Sequence, residues 1–132
     1  MFINTNLGVM NFGFPDVCKT IVGPAMVPIP YPNIAISVTH VPSQFKVIIG
    51  GGLAENLITS GTVSNGDQAG VAMGLISQIV IGPDRPFLGS FKVMIGGMFS
   101  TRLTSIQGQN GTPSNTIGIS ITPSQIRVMA LT

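Results

Sequence analysis

Four of the nine residues from Pro24 to Pro32 are proline, within the stretch GPAMVPIPYPNIAIS at 23–37. Each proline fixes its own φ at about −65° and lacks a backbone donor. Each also pushes the residue before it into extended geometry. Val27, Ile29 and Tyr31 are therefore held open, and Pro28-Ile29-Pro30-Tyr31-Pro32 reads as a stiff, polyproline-like rod. A helix cannot pass through it, and neither can a central strand, whose ladder would lose donors. The rod braces whatever strands lie beside it, with Tyr31 packed along it and its hydroxyl at the surface.

The rest of the chain is organised by repetition. FKVIIGG (45–51) returns as FKVMIGG (91–97), and Leu57 and Leu103 keep the same offset beyond each copy. A looser third copy closes the chain, where PSQFKVI (42–48) returns as PSQIRVM (123–129). Each copy carries an apolar residue, a cation and a valine in order: Phe45-Lys46-Val47, Phe91-Lys92-Val93 and Ile126-Arg127-Val128. Period-2 alternation places Phe45, Val47 and Ile49 on one face and Lys46 on the other, and the other copies follow suit. Three similar strands, each with one outward cation, predict a body of approximate threefold character. Further alternation at Ile34/Ile36/Val38, Ile79/Ile81 and Ile117/Ile119/Ile121 marks other strands. Asn65-Gly66, Asn110-Gly111 and the glycine pairs supply tight turns. The expected class is all-β in one domain, 1–132, with at most one short helix, over Asp67–Leu75 with Asp67 as its N-cap.

Composition narrows the function. Apolar residues make up 44% of the 132 but charged residues only 8%, against roughly 25% in ordinary soluble domains. Part of the outside is therefore expected to be covered by a partner; the alternative is a surface of Ser, Thr, Asn and Gln. Six unclustered cations give no nucleic-acid footprint. The most apolar run, 69–82, contains Ser77 and Gln78 and is too short to span a membrane, so no stable insertion is expected. No secretory signal precedes it. One cysteine, Cys18, excludes an internal disulfide and fits synthesis in a reducing compartment.

Recognisable catalytic machinery is missing. There is no phosphate loop and no nucleophile elbow; Gly50-Gly51-Gly52 reads as a turn or bulge. The four carboxylates, Asp16, Glu55, Asp67 and Asp84, are scattered and read as solvated or turn-capping. Cys18 and His40 are the only soft ligands. They read either as a nucleophile–base pair of a small hydrolase, or as a buried cysteine packed as a small hydrophobe and a histidine in a turn beside Val41-Pro42. A closed zinc site needs four ligands, so no metal and no other cofactor is expected.

Four blocks in order, NFGFPDVCKT (11–20), VPIPYPNIAIS (27–37), SNGDQAGVAMGLIS (64–77) and GSFKVMIGG (89–97), resemble the PAAR-like domains marked by a Pro-Ile-Pro-Tyr motif, here Pro28, Ile29, Pro30 and Tyr31. The resemblance implies a small cone of short strands and a structural, non-catalytic task. Such a domain caps and sharpens the trimeric valine–glycine-repeat (VgrG-type) spike of the bacterial type VI secretion system. It implies synthesis in the cytoplasm and export at the tip of the apparatus without a signal peptide. A separately encoded effector toxin or its adaptor is a further expected partner, since the chain runs only to Thr132, just past its last strand. Zinc-bearing members of the wider superfamily hold metal at the apex with several histidines and a cysteine; this chain has one histidine and lacks the Pro-Ala-Ala-Arg sequence. Apolar packing, or ligands shared between identical chains, would then have to fasten the apex. On this reading the Phe/Ile-Lys/Arg-Val triplets at 45–47, 91–93 and 126–128 dock on the spike, one copy per partner chain, through a largely uncharged base. A self-trimerising β spike or baseplate component is the nearest alternative.

Overall fold

The computed structural model describes residues 1–79 and 81–131; Val80, inside the apolar run at 69–82, and Thr132, the residue just past the expected last strand, lie outside them. The described chain is all-β. Its strands are β1 (Met10–Val22), β2 (Ala25–Ile36), β3 (His40–Val41), β4 (Ile48–Ile49), β5 (Gly52–Leu53), β6 (Ser60–Gly61), β7 (Arg85–Pro86), β8 (Met94–Ile95), β9 (Met98–Phe99), β10 (Ile106–Gln109) and β11 (Thr116–Thr122). Among the described residues the only helical turn is a 3₁₀ turn at Ser37–Thr39.

The proline-rich segment is β2, an edge strand of a five-stranded antiparallel sheet ordered β2-β1-β11-β10-β7. Prolines at alternate positions leave residues 27, 29 and 31 to serve the ladder with β1, where Cys18 opposes Ile29 and Asp16 opposes Tyr31. The outer edge, stripped of donors, resists further pairing. The Tyr31 hydroxyl lies 2.6 Å from Thr20 Oγ1, partly buried rather than free at the surface. Gly23, at φ +60°, followed by Pro24, turns the chain between the two long strands in the manner of a II′ hairpin.

The expected helix over Asp67–Leu75 does not form. The segment instead runs beside β1, with backbone bonds from Lys19 to Met73, Ala72 to Lys19 and Leu75 to Val17. Gly70 lies so close to this strand that a Cβ there would sit 2.3 Å from Cys18 Cβ. The Asp67 side chain turns inward instead of capping.

The alternation read along the strands is present, but its apolar members point outward. In β11, Thr116 and Ser120 are buried while Ile117, Ile119 and Ile121 are 61%, 43% and 43% exposed. In β2 and the turn after it, Asn33, Ala35 and Ser37 are buried while Ile36 and Val38 are exposed. Many Ser, Thr, Asn and Gln side chains therefore line the inside, while others, such as Thr39, Ser43, Thr62 and Gln68, stay on the surface. The reason is backbone supply. Two-residue strands leave many buried N–H and C=O groups unpaired, and polar side chains take the place of ladder partners. Ser37 Oγ, for instance, accepts from Gly8 and Val9 and donates to Thr5.

Candidate functional site

The three repeats are equivalent in space. In the first, Gln44 Oε1 accepts from the backbone of Lys46 and Val47 at 2.9 and 2.8 Å. Ser90 Oγ does this for Lys92 and Val93 at 3.3 and 3.0 Å, and Gln125 Oε1 for Arg127 and Val128 at 2.7 and 2.9 Å. The triplets are thus capped turns rather than strands, which corrects the alternation expected from Phe45, Phe91 and Ile126 onward. Phe45, Phe91 and Ile126 are 73%, 68% and 72% exposed, while Ile49, Ile95 and Ala130 are buried. Val47 and Val93 pack half-buried against that core. Two copies then turn through glycine pairs with positive φ, Gly50-Gly51 and Gly96-Gly97, as a I′ hairpin requires.

The third copy has no glycine pair, and its return strand comes from the other end of the chain. Phe2 pairs with Met129, Ala130 donates to Met1, and Ile3 donates to Val128. Sequence reasoning found this third copy but missed its N-terminal return strand; the absent Gly-Gly after Val128 was the signal that its partner lay elsewhere.

A closed ring of backbone bonds and a second, cyclic set that closes through the strand segments join the lobes. Asn4 donates to Thr101, Thr101 to Glu55 and Glu55 back to Asn4, at 3.0, 3.1 and 3.0 Å. The second set runs Asn6 to Leu53, Leu57 to Phe99 and Leu103 to Phe2. The apolar core beneath is small: Ile3, Ile49, Ala54, Ile95 and Ala130. Where the third lobe has only Ala130 in place of an isoleucine, it contributes Ile3. The result is a pseudo-threefold seat built by one chain, presenting Phe45, Phe91 and Ile126 and, beside them, exposed Ile48, Met94 and Met129.

The four carboxylates are neither scattered nor solvated; all are buried. Glu55 and Asp84 clamp His40, with Nδ1 2.7 Å from Glu55 Oε1 and Nε2 3.1 Å from Asp84 Oδ2. Burial alone would push the imidazole pKa down, but hydrogen bonds and charge from Asp84 and Glu55 prevail and lift it to about 10. Burial also holds Glu55 above the usual carboxylate range, despite His40. His40 is therefore an ionic brace between the ring residue Glu55 and the segment at Asp84, not a loose turn residue.

Asp16 and Asp67 flank Cys18, with Sγ 3.6 and 3.5 Å from their oxygens. Burial first, then the two neighbouring charges, raises the thiol to about 12; burial and Asp16 likewise raise Asp67. Amides line the cluster. Asn110 donates to Asp67 at 2.5 Å, and Asn33 and Asn115 donate to Asp16. The motif strand β2 thus delivers Asn33 and backs Asp16 and Cys18. β1 carries Cys18 eight residues beyond Met10, a span of at most roughly 25 Å at about 3.4 Å per residue.

Cys18 and His40 each find their partners in a different cluster, so no nucleophile–base pair forms. A buried thiol with a raised pKa is also a poor nucleophile. The His-rich zinc set of the wider superfamily does not fit either, because both His40 nitrogens face carboxylates. Asp16, Cys18 and Asp67 bring three ligand atoms within 4.8 Å of one another, one short of a closed zinc shell. Asn110 and Asn115 have their oxygens engaged by the backbone of Gly82 and of Ile76, so their NH₂ groups face the cluster as donors.

With all four acidic side chains inside, the exposed side-chain charge among the described residues is cationic: Lys46, Arg85, Lys92 and Arg127 are exposed, Lys19 and Arg102 half-exposed. Three of these cations, Lys46, Lys92 and Arg127, lie in the triplets expected to dock.

The family described as Toxin PAAR-like domain matches residues 9–118. The chain belongs to that family. PAAR-like domains form a structural spike-tip family, associated with type VI secretion spikes. No curated protein and no solved structure matches the chain.

Proposed function

We propose that this PAAR-like domain caps and sharpens a trimeric VgrG-type spike, seated through its pseudo-threefold face, and performs no chemistry itself. The observation that carries the reading is the closed hydrogen-bond ring, with its second cyclic set, joining three equivalent lobes in a single chain. A monomer with that face can meet a homotrimer with one lobe on each partner chain, and a closed partner stops growth at that end. Exposed Phe45, Phe91 and Ile126 supply apolar contact there. A single chain already makes the threefold, so self-trimerisation is not needed to create it. Export at the tip, and carriage of a separately encoded effector or adaptor on the apolar flank, follow from the same reading.

Co-purification with the spike trimer tests it, with one copy per three spike chains expected. A three-to-three complex, no complex, or a stable homotrimer by light scattering would overturn it. We further propose that amide donors and protons, rather than zinc, fasten the Asp16–Cys18–Asp67 cluster. Elemental analysis of dialysed protein is expected to give well under one zinc per chain. Stoichiometric zinc whose removal lowers the melting temperature would sink that part alone.

A further inference from the structure

We infer that Lys46, Lys92 and Arg127 form a ring of three cations that meets one carboxylate from each of three identical partner chains. The inference rests on the docking reading above and names the chemistry of the partner's surface. Three observations carry it. The cations occupy equivalent positions, each with its backbone N–H held by the capping residue of its lobe, Gln44, Ser90 or Gln125. All three are exposed. No acidic side chain among the described residues is exposed beside them, because Asp16, Glu55, Asp67 and Asp84 are all buried, at 2% exposure or less.

A single seat-side cation would fit many surfaces. Three related by a threefold fit a partner that repeats one acidic position three times, which a homotrimer does by construction. The apolar triplet Phe45, Phe91 and Ile126 and the cationic triplet then divide the work. Apolar burial holds the complex together, whereas complementary charge speeds encounter, sets the rotational register and rejects unlike partners. Like charges left facing one another on the free seat also oppose association of two copies through this face.

The test measures association of the full chain with purified trimeric VgrG-type spike, from low to near-molar salt. Over that range the screening length falls from about 10 Å at 0.1 M to about 3 Å at 1 M. The association rate is expected to fall roughly tenfold or more. Lys46→Glu, Lys92→Glu and Arg127→Glu should each slow it by similar factors with unchanged melting temperature, and the triple variant should lose capture. Replacing the spike's blunt-end carboxylate by lysine should restore capture of the triple variant. A complex indifferent to salt and to the triple reversal would overturn the charge ring while leaving docking intact. Failure of the unaltered chain to bind at any salt would remove docking and the ring with it. Binding instead to phosphatidylglycerol vesicles, lost in the triple variant and with no capture of spike, would assign the cations to a lipid surface and overturn the inference.

Discussion

Replacing His40 by alanine is expected to lower the unfolding free energy by about 3–5 kcal/mol at neutral pH, the usual cost of removing one partner from a buried ionic group. For a domain of this size that is roughly an 11–18 °C loss in Tm. Glu55 and Asp84 would be left buried without the cation between them, and the link from the hydrogen-bond ring to Asp84 would be cut. The pH profile provides a second signature. The folded imidazole holds its proton up to about 10, against 6.5 in the unfolded chain. Its contribution is complete below pH 6.5 and is lost as pH climbs through 10. The shifts at Glu55, Asp67 and Cys18 are also upward, so the folded state binds protons more tightly at each, and stability declines as pH rises. The unaltered protein should therefore tolerate mild acid and weaken in alkali, and His40→Ala should flatten the stretch between 6.5 and 10. Chemical denaturation across that range decides it; an alkaline slope unchanged in the variant would refute the brace.

Gly66→Ala is the second severe change. Gly66 sits at φ +135°, and a Cβ there would lie 2.1 Å from the Pro32 carbonyl oxygen. That dihedral is nearly closed to other residues, strain of this kind costing about 1–3 kcal/mol, and the collision is with backbone that cannot swing away. A loss above about 3 kcal/mol is expected, or insoluble protein. Gly23→Ala is the control: φ is +60° and no atom lies within 4 Å of the added carbon, so about 1–2 kcal/mol is expected. Equal costs in urea titrations would show that the packing of the Asn65-Gly66 turn against Pro32 is not what fixes the motif strand.

Much of the architecture was legible because it was written locally. Prolines at 28, 30 and 32 forbade a central strand, and β2 is an edge. The FKV copies announced three lobes, and the glycine pairs announced two of their hairpins. What was hidden depended on long-range partners. Nothing near Asp16 in the chain foretells Asp67 or Asn115, and nothing near Met1 foretells Ala130. Burial was also read from the wrong rule. Alternating isoleucines ordinarily face a core, but here Asn, Gln and Ser are drawn inside to satisfy a backbone that short strands leave unpaired, and the isoleucines are displaced outward.

The lobe made from both ends of the chain has a mechanical corollary. Met1–Ile3 and Val128–Ala130 lie side by side, held by a few peptide contacts and no covalent link. Tension drawing those ends apart would peel the contacts singly, starting at the outermost. Thrust delivered against the seat would instead be shared by all three lobes at once.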